Sequence, residues 1–358
     1  MRCTNLNKKN LKKFTEMESR TEISEIGEFG LIDLLKKTAR ISNESTILGI
    51  GDDAAVVENG AEYLLISTDA LVEGVHFDLS YTPLKHLGYK AMTVNFSDMA
   101  AMNGRPYQVV VALGLSNRFS VEAVDELYYG MKLACDKYGV DLVGGDTTSS
   151  RSGLFVSVTV LGRVDKDKIT YRKGASEKDL ICVTGDLGAA FMGLQILERE
   201  KQVFSADPNM QPDLESKDYI VERQLKPEAR LDFVKELLTL EVVPTSMIDV
   251  SDGLASELLH LCKASGLGAR IFEEKIPVDR MTYETAREFN LDPITAQLNG
   301  GEDYELLFTV SQEDYEKIRN HPDISVIGYM EGAGEVPVLV SKQGSQTPLQ
   351  AQGWTHFK

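Results

Sequence analysis

Apolar positions along the chain switch between two periods, and the switches lay out its elements. Leu31, Leu34, Leu35 and Thr38 fall at helical spacing and predict a helix over residues 30–40. Residues 56–57 and 63–66 read as short β-type runs. Leu87, Ala91, Val94, Met99 and Met102 return to helical spacing over 87–102, and Gly104-Arg105-Pro106 closes that helix. Residues 109–115 are β-rich, 121–138 read as a second long helix, and 140–143 as a short strand. Residues 154–164 alternate aliphatic side chains with Ser157 and Thr159, the signature of a strand.

After Arg163 the character changes. Residues 165–178 are charged and turn-rich, which sets a domain boundary there. A strand at 180–183 enters the turn Thr184-Gly185-Asp186-Leu187-Gly188 and a helix through residue 197, whose N-terminus can bind an anion. No Gly-Lys-Ser/Thr follows, so this is not a P-loop, and the dinucleotide fingerprint is absent too. Beyond a polar connection over 201–218, Pro227 opens a helix with the face Ala229, Phe233 and Leu237. A strand over 247–249 precedes a helix over 254–264, capped by Ser251 or Asp252 and stopped by Gly266. Strands follow at 306–310, 324–329 and 336–340. The expected organisation is an unstructured basic leader over 1–26 with Lys8, Lys9, Lys12 and Lys13, a domain over 27–164 and a second over 165–358.

Length and charge narrow the function. A chain of 358 residues is too long for one ordinary core. With 42% hydrophobic and 26% charged residues it reads as a soluble globular protein, and no apolar run is long enough for a membrane span. The N-terminus lacks an apolar signal core, so a cytoplasmic location is expected. A net charge of −17 argues against nucleic acid, whose phosphates it would repel. The same charge suits a phosphorylated substrate only if divalent cations stand between protein and phosphate. The four cysteines have no metal-ligand spacing; Cys135, Cys182 and Cys262 sit in apolar patterns as buried thiols.

The chemistry gathers in acidic turns. Gly49-Ile50-Gly51-Asp52-Asp53-Ala54-Ala55 sets two carboxylates beside glycines with no lysine or arginine next to them. Ser67-Thr68-Asp69, Asp98, Gly144-Gly145-Asp146, Asp249-Val250-Ser251-Asp252 and Gly300-Gly301-Glu302-Asp303 repeat the theme near the ends of apolar runs. Hydroxyls and carboxylates in such groups are the oxygen ligands that magnesium takes, although caps and turns favour the same residues. The glycines before Asp146 let backbone amides meet a phosphate. The expectation is one shared metal cluster of Asp53, Asp69, Asp98 and Asp146. His76 lies where it could face the same cavity, and Trp354, the single tryptophan, sits in the tail.

The motifs Gly-Ile-Gly-Asp-Asp-Ala-Ala, Ser-Thr-Asp-Ala-Leu-Val-Glu-Gly-Val-His-Phe, Asn-Phe-Ser-Asp-Met-Ala-Ala-Met, Gly-Gly-Asp-Thr-Thr, Asp-Val-Ser-Asp-Gly-Leu and Gly-Gly-Glu-Asp-Tyr-Glu-Leu occur here in that order. In this the chain resembles the thiamine-monophosphate kinases, from about Gly27 to Trp354. The resemblance implies a two-domain α/β fold of the aminoimidazole ribonucleotide synthetase type. Its N-terminal sheet pairs with a second copy's into a dimer barrel, and a C-terminal α/β domain packs against it. It implies transfer of the γ-phosphate of ATP to thiamine monophosphate, giving thiamine diphosphate, with several Mg2+ ions and a homodimer. The metal ligands it implies are Asp53, Ser67, Thr68, Asp69, Asp98, Asp146, Asp249 and Asp252. The implied nucleotide contacts are Tyr128, Gly145, Asp146, Arg172 and Ser251, and the implied substrate contacts are His76, Glu302 and Trp354. Asp69, Asp146 and Arg172 are the residues expected to carry catalysis. Arg-Gln-Leu-Lys-Pro over 223–227 departs from the Arg-His-Leu-Arg-Pro that the family often has.

Three rival readings fit less well. Selenophosphate synthesis wants a reactive N-terminal cysteine in a glycine-rich loop, and Cys3 has no such context. The hydrogenase-maturation branch ends in a cysteine, where this chain ends His-Phe-Lys. A calcium-binding protein would carry spaced Asx loops, and none is present.

Overall fold

The computed structural model of the chain describes residues 22–353. Within these, residues 22–41 and residues 42–353 fall into separate units. The first unit carries helix α1 (Ile23–Thr38), opened by a capping box between Glu22 and Glu25 and kinked at Gly27, whose φ is 64°. Residues 23–26, which the sequence places in an unstructured leader, are therefore helical. The rest of that expected leader lies outside the described residues.

The second unit begins with a six-stranded sheet in the order β1-β2-β3-β6-β4-β5. Its strands are β1 (Thr46–Leu48), β2 (Ala55–Asn59), β3 (Glu62–Val72), β4 (Arg105–Leu115), β5 (Asp141–Ser149) and β6 (Phe155–Asp165). All neighbours are antiparallel except β4 and β5. Helices α2 (Leu84–Ala101) and α3 (Val121–Tyr138) pack against each other, and α2 lies on the sheet. The two helices cross at glycines: a Cβ on Gly88 would sit 1.9 Å from the Leu127 carbonyl oxygen, and one on Gly130 1.9 Å from that of Lys85.

Two strands run further than their apolar stretches indicate. β3 continues through Ser67-Thr68-Asp69, and β5 through Gly144-Gly145-Asp146. Polar and glycine residues carry low strand preference, but pairing with β6 and with β4 holds them extended.

The C-terminal half is built on a seven-stranded sheet in the order β13-β12-β9-β11-β7-β10-β8. Its strands are β7 (Leu180–Thr184), β8 (Ser246–Asp249), β9 (Gly268–Phe272), β10 (Leu306–Val310), β11 (Ile324–Glu331), β12 (Val338–Val340) and β13 (Gln346–Pro348). Its helices include α4 (Ala189–Ala206), α5 (Asp218–Leu225), α6 (Leu231–Thr239), α7 (Leu254–Ser265), α8 (Arg280–Glu288) and α9 (Pro293–Asn299). One core cluster runs from Val56, Phe96 and Val158 to Phe233, Met247 and Phe308, so α2 is shared between the halves. It touches β8, α5 and α6 as well as the first sheet.

Two local expectations change here. The N-cap of α7 is Gly253, with no side-chain cap, rather than Ser251 or Asp252. The N-terminus of α4 does receive an anion, but from within: Asp303 accepts from the Gly188 N–H at 2.6 Å and the Ala190 N–H at 3.1 Å. That helix end is thereby filled.

Candidate active site

Three elements converge on one point. The turn before β2 brings Asp53, α2 brings Asp98, and the end of β8 brings Asp249, opposite Leu306 of β10. One carboxylate oxygen from each lies within 4.8 Å of those of the other two. Asp53 and Asp249 are buried. Like charges in a desolvated space resist ionisation. Burial, followed by Asp69, Asp249 and Asp53, holds the Asp98 carboxyl well above the usual range. Burial and then Asp53 raise Asp249, while the Ser97 hydroxyl pulls the other way. Asp69 is raised by desolvation and then Asp53, and Asp52 by burial and then Asp53. Carboxylates crowded in this way need a compensating cation, and an oxygen-only donor set suits a hard one.

A single stretch of α2 builds much of this. Asn95 Oδ1 accepts the Asp69 N–H at 3.1 Å, and its Nδ2 donates to the Ala91 carbonyl at 3.0 Å. Ser97 Oγ donates to Asp249 Oδ2 at 2.6 Å, and Asp98 accepts from Ser67 Oγ. Arg172 supplies positive charge: its Nε donates to Asp53 Oδ2 at 3.2 Å, Nη2 donates to Asp53 Oδ1, and its backbone N–H meets both Asp52 oxygens at 3.2 Å.

Asp146 and Thr68 stand on the other side of the sheet. Asp69 shares a row with Val158 and Val111, which point to the buried, helix-covered face. Thr68 pairs with Thr159, and Asp146 with Ala112 and Ser157, in the flanking rows that point the opposite way. Asp146 and Gly145 line an open hollow of about 360 Å³ with Val110, Ser157 and Thr159. Thr159 Oγ1 donates to Thr68 Oγ1 at 3.0 Å, tying Thr68 to that hollow. The convergent group is thus Asp53, Asp98 and Asp249 with Asp69 beside it, and Asp146 is not part of it.

The strap after α9 flanks the carboxylates. The Glu302 N–H donates to the Ser251 carbonyl at 2.7 Å and the Tyr304 N–H to that of Val250 at 2.9 Å. Glu257 Oε1 accepts the Asp252 N–H at 2.9 Å from beneath. Gly353 lies against the same loop, where a Cβ would come within 2.3 Å of the Asp252 carbonyl oxygen. Trp354 itself lies outside the described residues. His76 sits in the tight turn after β3, its Nδ1 accepting the Val72 N–H at 3.0 Å. Tyr128 lines a separate open hollow of about 560 Å³ with Leu115, Phe119, Val121 and Val124.

Residues to which the sequence assigned no role complete the frame: Ser97, Glu257, Lys90 and Gln224. Lys90 carried a signal, because it and Asp98 are the only charged residues between Leu87 and Met102. The partners of Ser97 and Glu257 could not be read from spacing.

Residues 51–164 match the model of the AIR synthase related protein N-terminal domain, and residues 177–340 that of the C-terminal domain. The thiamine-monophosphate kinase of Aquifex aeolicus (strain VF5) is 36% identical over 335 residues, covering 94% of this chain and 99% of its own length. That of Escherichia coli (strain K12) is 37% identical over 351 residues, covering 92% and 98%. The solved structure of AaThiL complexed with AMPPCP and TMP superposes with a TM-score of 0.79 at 34% identity, over 95% of this chain and 100% of that one.

Proposed function

The chain belongs to the thiamine-monophosphate kinases of the AIR synthase related family, and we propose that it moves the γ-phosphate of ATP in line and directly onto the phosphate of thiamine monophosphate. ATP-dependent phosphorylation of thiamine monophosphate is its activity. The observation that carries the proposed mode of transfer is the convergence of Asp53, Asp98 and Asp249, with Arg172 bonded to Asp53, at the edge of the Ser251–Glu302 strap.

The acceptor is already a phosphate monoester, a competent nucleophile, so the chain need not supply a general base. Its task is to bring two anions together and align them. The oxygen donors fit Mg2+, which Asp53, Asp69, Asp98 and Asp249 would hold under the sheet, with Ser67 and Asp252 beside them and Thr68 and Asp146 on the other face. When bound, Mg2+ screens the phosphate charges from each other. Arg172 meets phosphate oxygens from the Asp53 side. Gly145 and Ser251 offer backbone to the nucleotide, and Tyr128 gives its base the wall of an apolar hollow. His76, Glu302 and Trp354 contact thiamine monophosphate. Asp69, Asp146 and Arg172 are the residues we place nearest the transfer.

The domain division at residue 165 is supported by the two separate sheets, which end at Asp165 and restart at Leu180. A homodimer is supported by β5, a sheet edge exposed along its whole length and able to pair with another strand. No helix among the described residues is long and apolar enough to cross a membrane, which fits the cytoplasmic location we propose.

Stereochemistry at phosphorus tests the direct step. ATP made chiral at its γ-phosphorus should give thiamine diphosphate of inverted configuration. Retention would mean that a phosphorylated protein intervenes, and the direct mechanism would be wrong.

A further inference from the structure

We propose that Lys90 and Gln224 are positioning residues for the thiamine end of the substrate. They present Glu302 as a charge-compensated hydrogen-bond acceptor for the aminopyrimidine, and not as a counter-ion for the thiazolium. The inference rests on the proposed reading of Glu302 as a substrate contact.

Lys90 is on α2 and only 2% exposed. A buried ammonium is costly unless it is paired and hydrogen-bonded. Its Nζ lies 2.7 Å from Glu302 Oε1 and donates to the backbone carbonyl of Gln224 at 3.1 Å. The other oxygen of Glu302 is taken as well, since Gln224 Nε2 donates to Oε2 at 2.7 Å. Gln224 is itself buried, and its Oε1 has no hydrogen-bond partner among the described residues. The amide is therefore turned to hold Glu302 at the cost of a stranded acceptor; the reverse orientation would set oxygen against oxygen.

The backbone is held just as firmly. Glu302 has a φ of 66°, in the left-handed region that a residue with a Cβ enters only when its surroundings require it. Its N–H is bonded to Ser251, and a Cβ on the preceding Gly301 would come within 2.4 Å of the Ser251 carbonyl oxygen. Backbone and both carboxylate oxygens are thus fixed, while the side chain remains 27% exposed.

Electrostatics then selects the ligand group. A carboxylate with an ammonium at hydrogen-bond distance presents little net charge to anything further away, so it makes a weak counter-ion. It keeps unused lone pairs, since a carboxylate can accept about four hydrogen bonds. What it suits is a neutral N–H donor in a defined direction. Thiamine monophosphate offers that donor in the amino group on its pyrimidine.

The test is steady-state kinetics on the full chain with ATP, Mg2+ and either thiamine monophosphate or its analogue with hydrogen in place of the pyrimidine amino group. Lys90→Met and Gln224→Leu should each raise KM for thiamine monophosphate about tenfold or more, leaving KM for ATP unmoved. Gln224→His, which retains an N–H donor, should restore part of the loss. The wild-type chain should discriminate against the desamino analogue, and the two variants should lose that discrimination. If both variants raise KM for the two substrates equally, or lower it for thiamine monophosphate by freeing a counter-ion for the thiazolium, the proposal is overturned. Should Lys90→Met fail to fold, the Gln224 pair decides. Glu302→Gln separates the layers. If it leaves KM for thiamine monophosphate unchanged, the substrate-contact reading falls and takes the proposal with it. If it raises KM while the Lys90 and Gln224 variants do not, the proposal alone falls.

Discussion

Ser97 Oγ donates to Asp249 Oδ2 across 2.6 Å, and this one buried hydrogen bond joins α2 to the end of β8. The hydroxyl fixes which way the carboxylate faces its neighbours Asp53 and Asp98. Loss of such an outer partner typically costs about ten- to hundredfold in metal affinity. Ser97→Ala should therefore shift the Mg2+ dependence of turnover to higher concentration by about that factor, with the fold intact. An unchanged Mg2+ titration would mean that Asp249 is oriented by something else.

The crowding of Asp53, Asp98 and Asp249 gives a prediction of opposite sign for stability and activity. Neutralising one of these crowded carboxylates relieves repulsion and desolvation. Asp98→Asn should melt at a higher temperature than the wild-type chain in a chelator, while Mg2+ should raise the melting temperature of the wild-type chain and not that of the variant, and the variant should lose nearly all turnover. Thermal melts with and without Mg2+ check it, and a variant less stable in chelator would count against the crowding argument.

Gly145 is constrained by the sheet before any nucleotide is considered. A Cβ there would stand 1.9 Å from the Val111 carbonyl oxygen of the neighbouring strand. Gly145→Ala should destabilise the chain by about 1–3 kcal/mol, read from the denaturant midpoint. Loss of ATP use with unchanged stability would restore the simpler view that the glycine serves only ligand approach.

How much of this was legible depended on the distance between partners. The acidic motifs announced the carboxylates, and helical spacing placed α3 at its observed ends and α2 to within three residues. Pairing between strands was less visible: nothing local in Ser67-Thr68-Asp69 or Gly144-Gly145-Asp146 shows that β6 and β4 carry them on as strands. The cluster of Asp53, Asp69, Asp98 and Asp146 expected from the acidic turns left out Asp249, which the resemblance did name, and included Asp146, because sheet faces are set by register. The open helix end predicted at α4 was filled by Asp303, more than a hundred positions away. Lys90 stands out in the sequence as a charge on an apolar helix, but Gln224 acquires meaning only through Glu302, which no periodicity connects to it.

Glu305 ties pH to stability. Burial pushes its carboxyl up, but Arg223 at 2.8 Å, Arg230 and the Thr184 hydroxyl outweigh that and hold it below its ordinary 4.5. A carboxylate lowered by folding contributes stability that is complete above its unfolded pKa and is lost as pH falls through the folded one. The chain should therefore lose stability on acidification below about 4.5, and Glu305→Gln should flatten that part of the profile. At neutral pH the same variant should cost about 1.5–3 kcal/mol, since Arg223 and Arg230 each lose a charged partner, but Arg223 keeps Asp303 and Arg230 keeps Asp232 and Asp323. Denaturant melts across the acid range distinguish the two chains.

This chain carries the terminal phosphate of ATP to thiamine monophosphate. Incubating it with Mg2+, thiamine monophosphate and ATP radiolabelled only in the γ-phosphate measures that directly. Label should appear in the terminal phosphate of thiamine diphosphate, with one ADP formed for each. Label released as inorganic phosphate, or AMP as the nucleotide product with no labelled thiamine diphosphate, would contradict it.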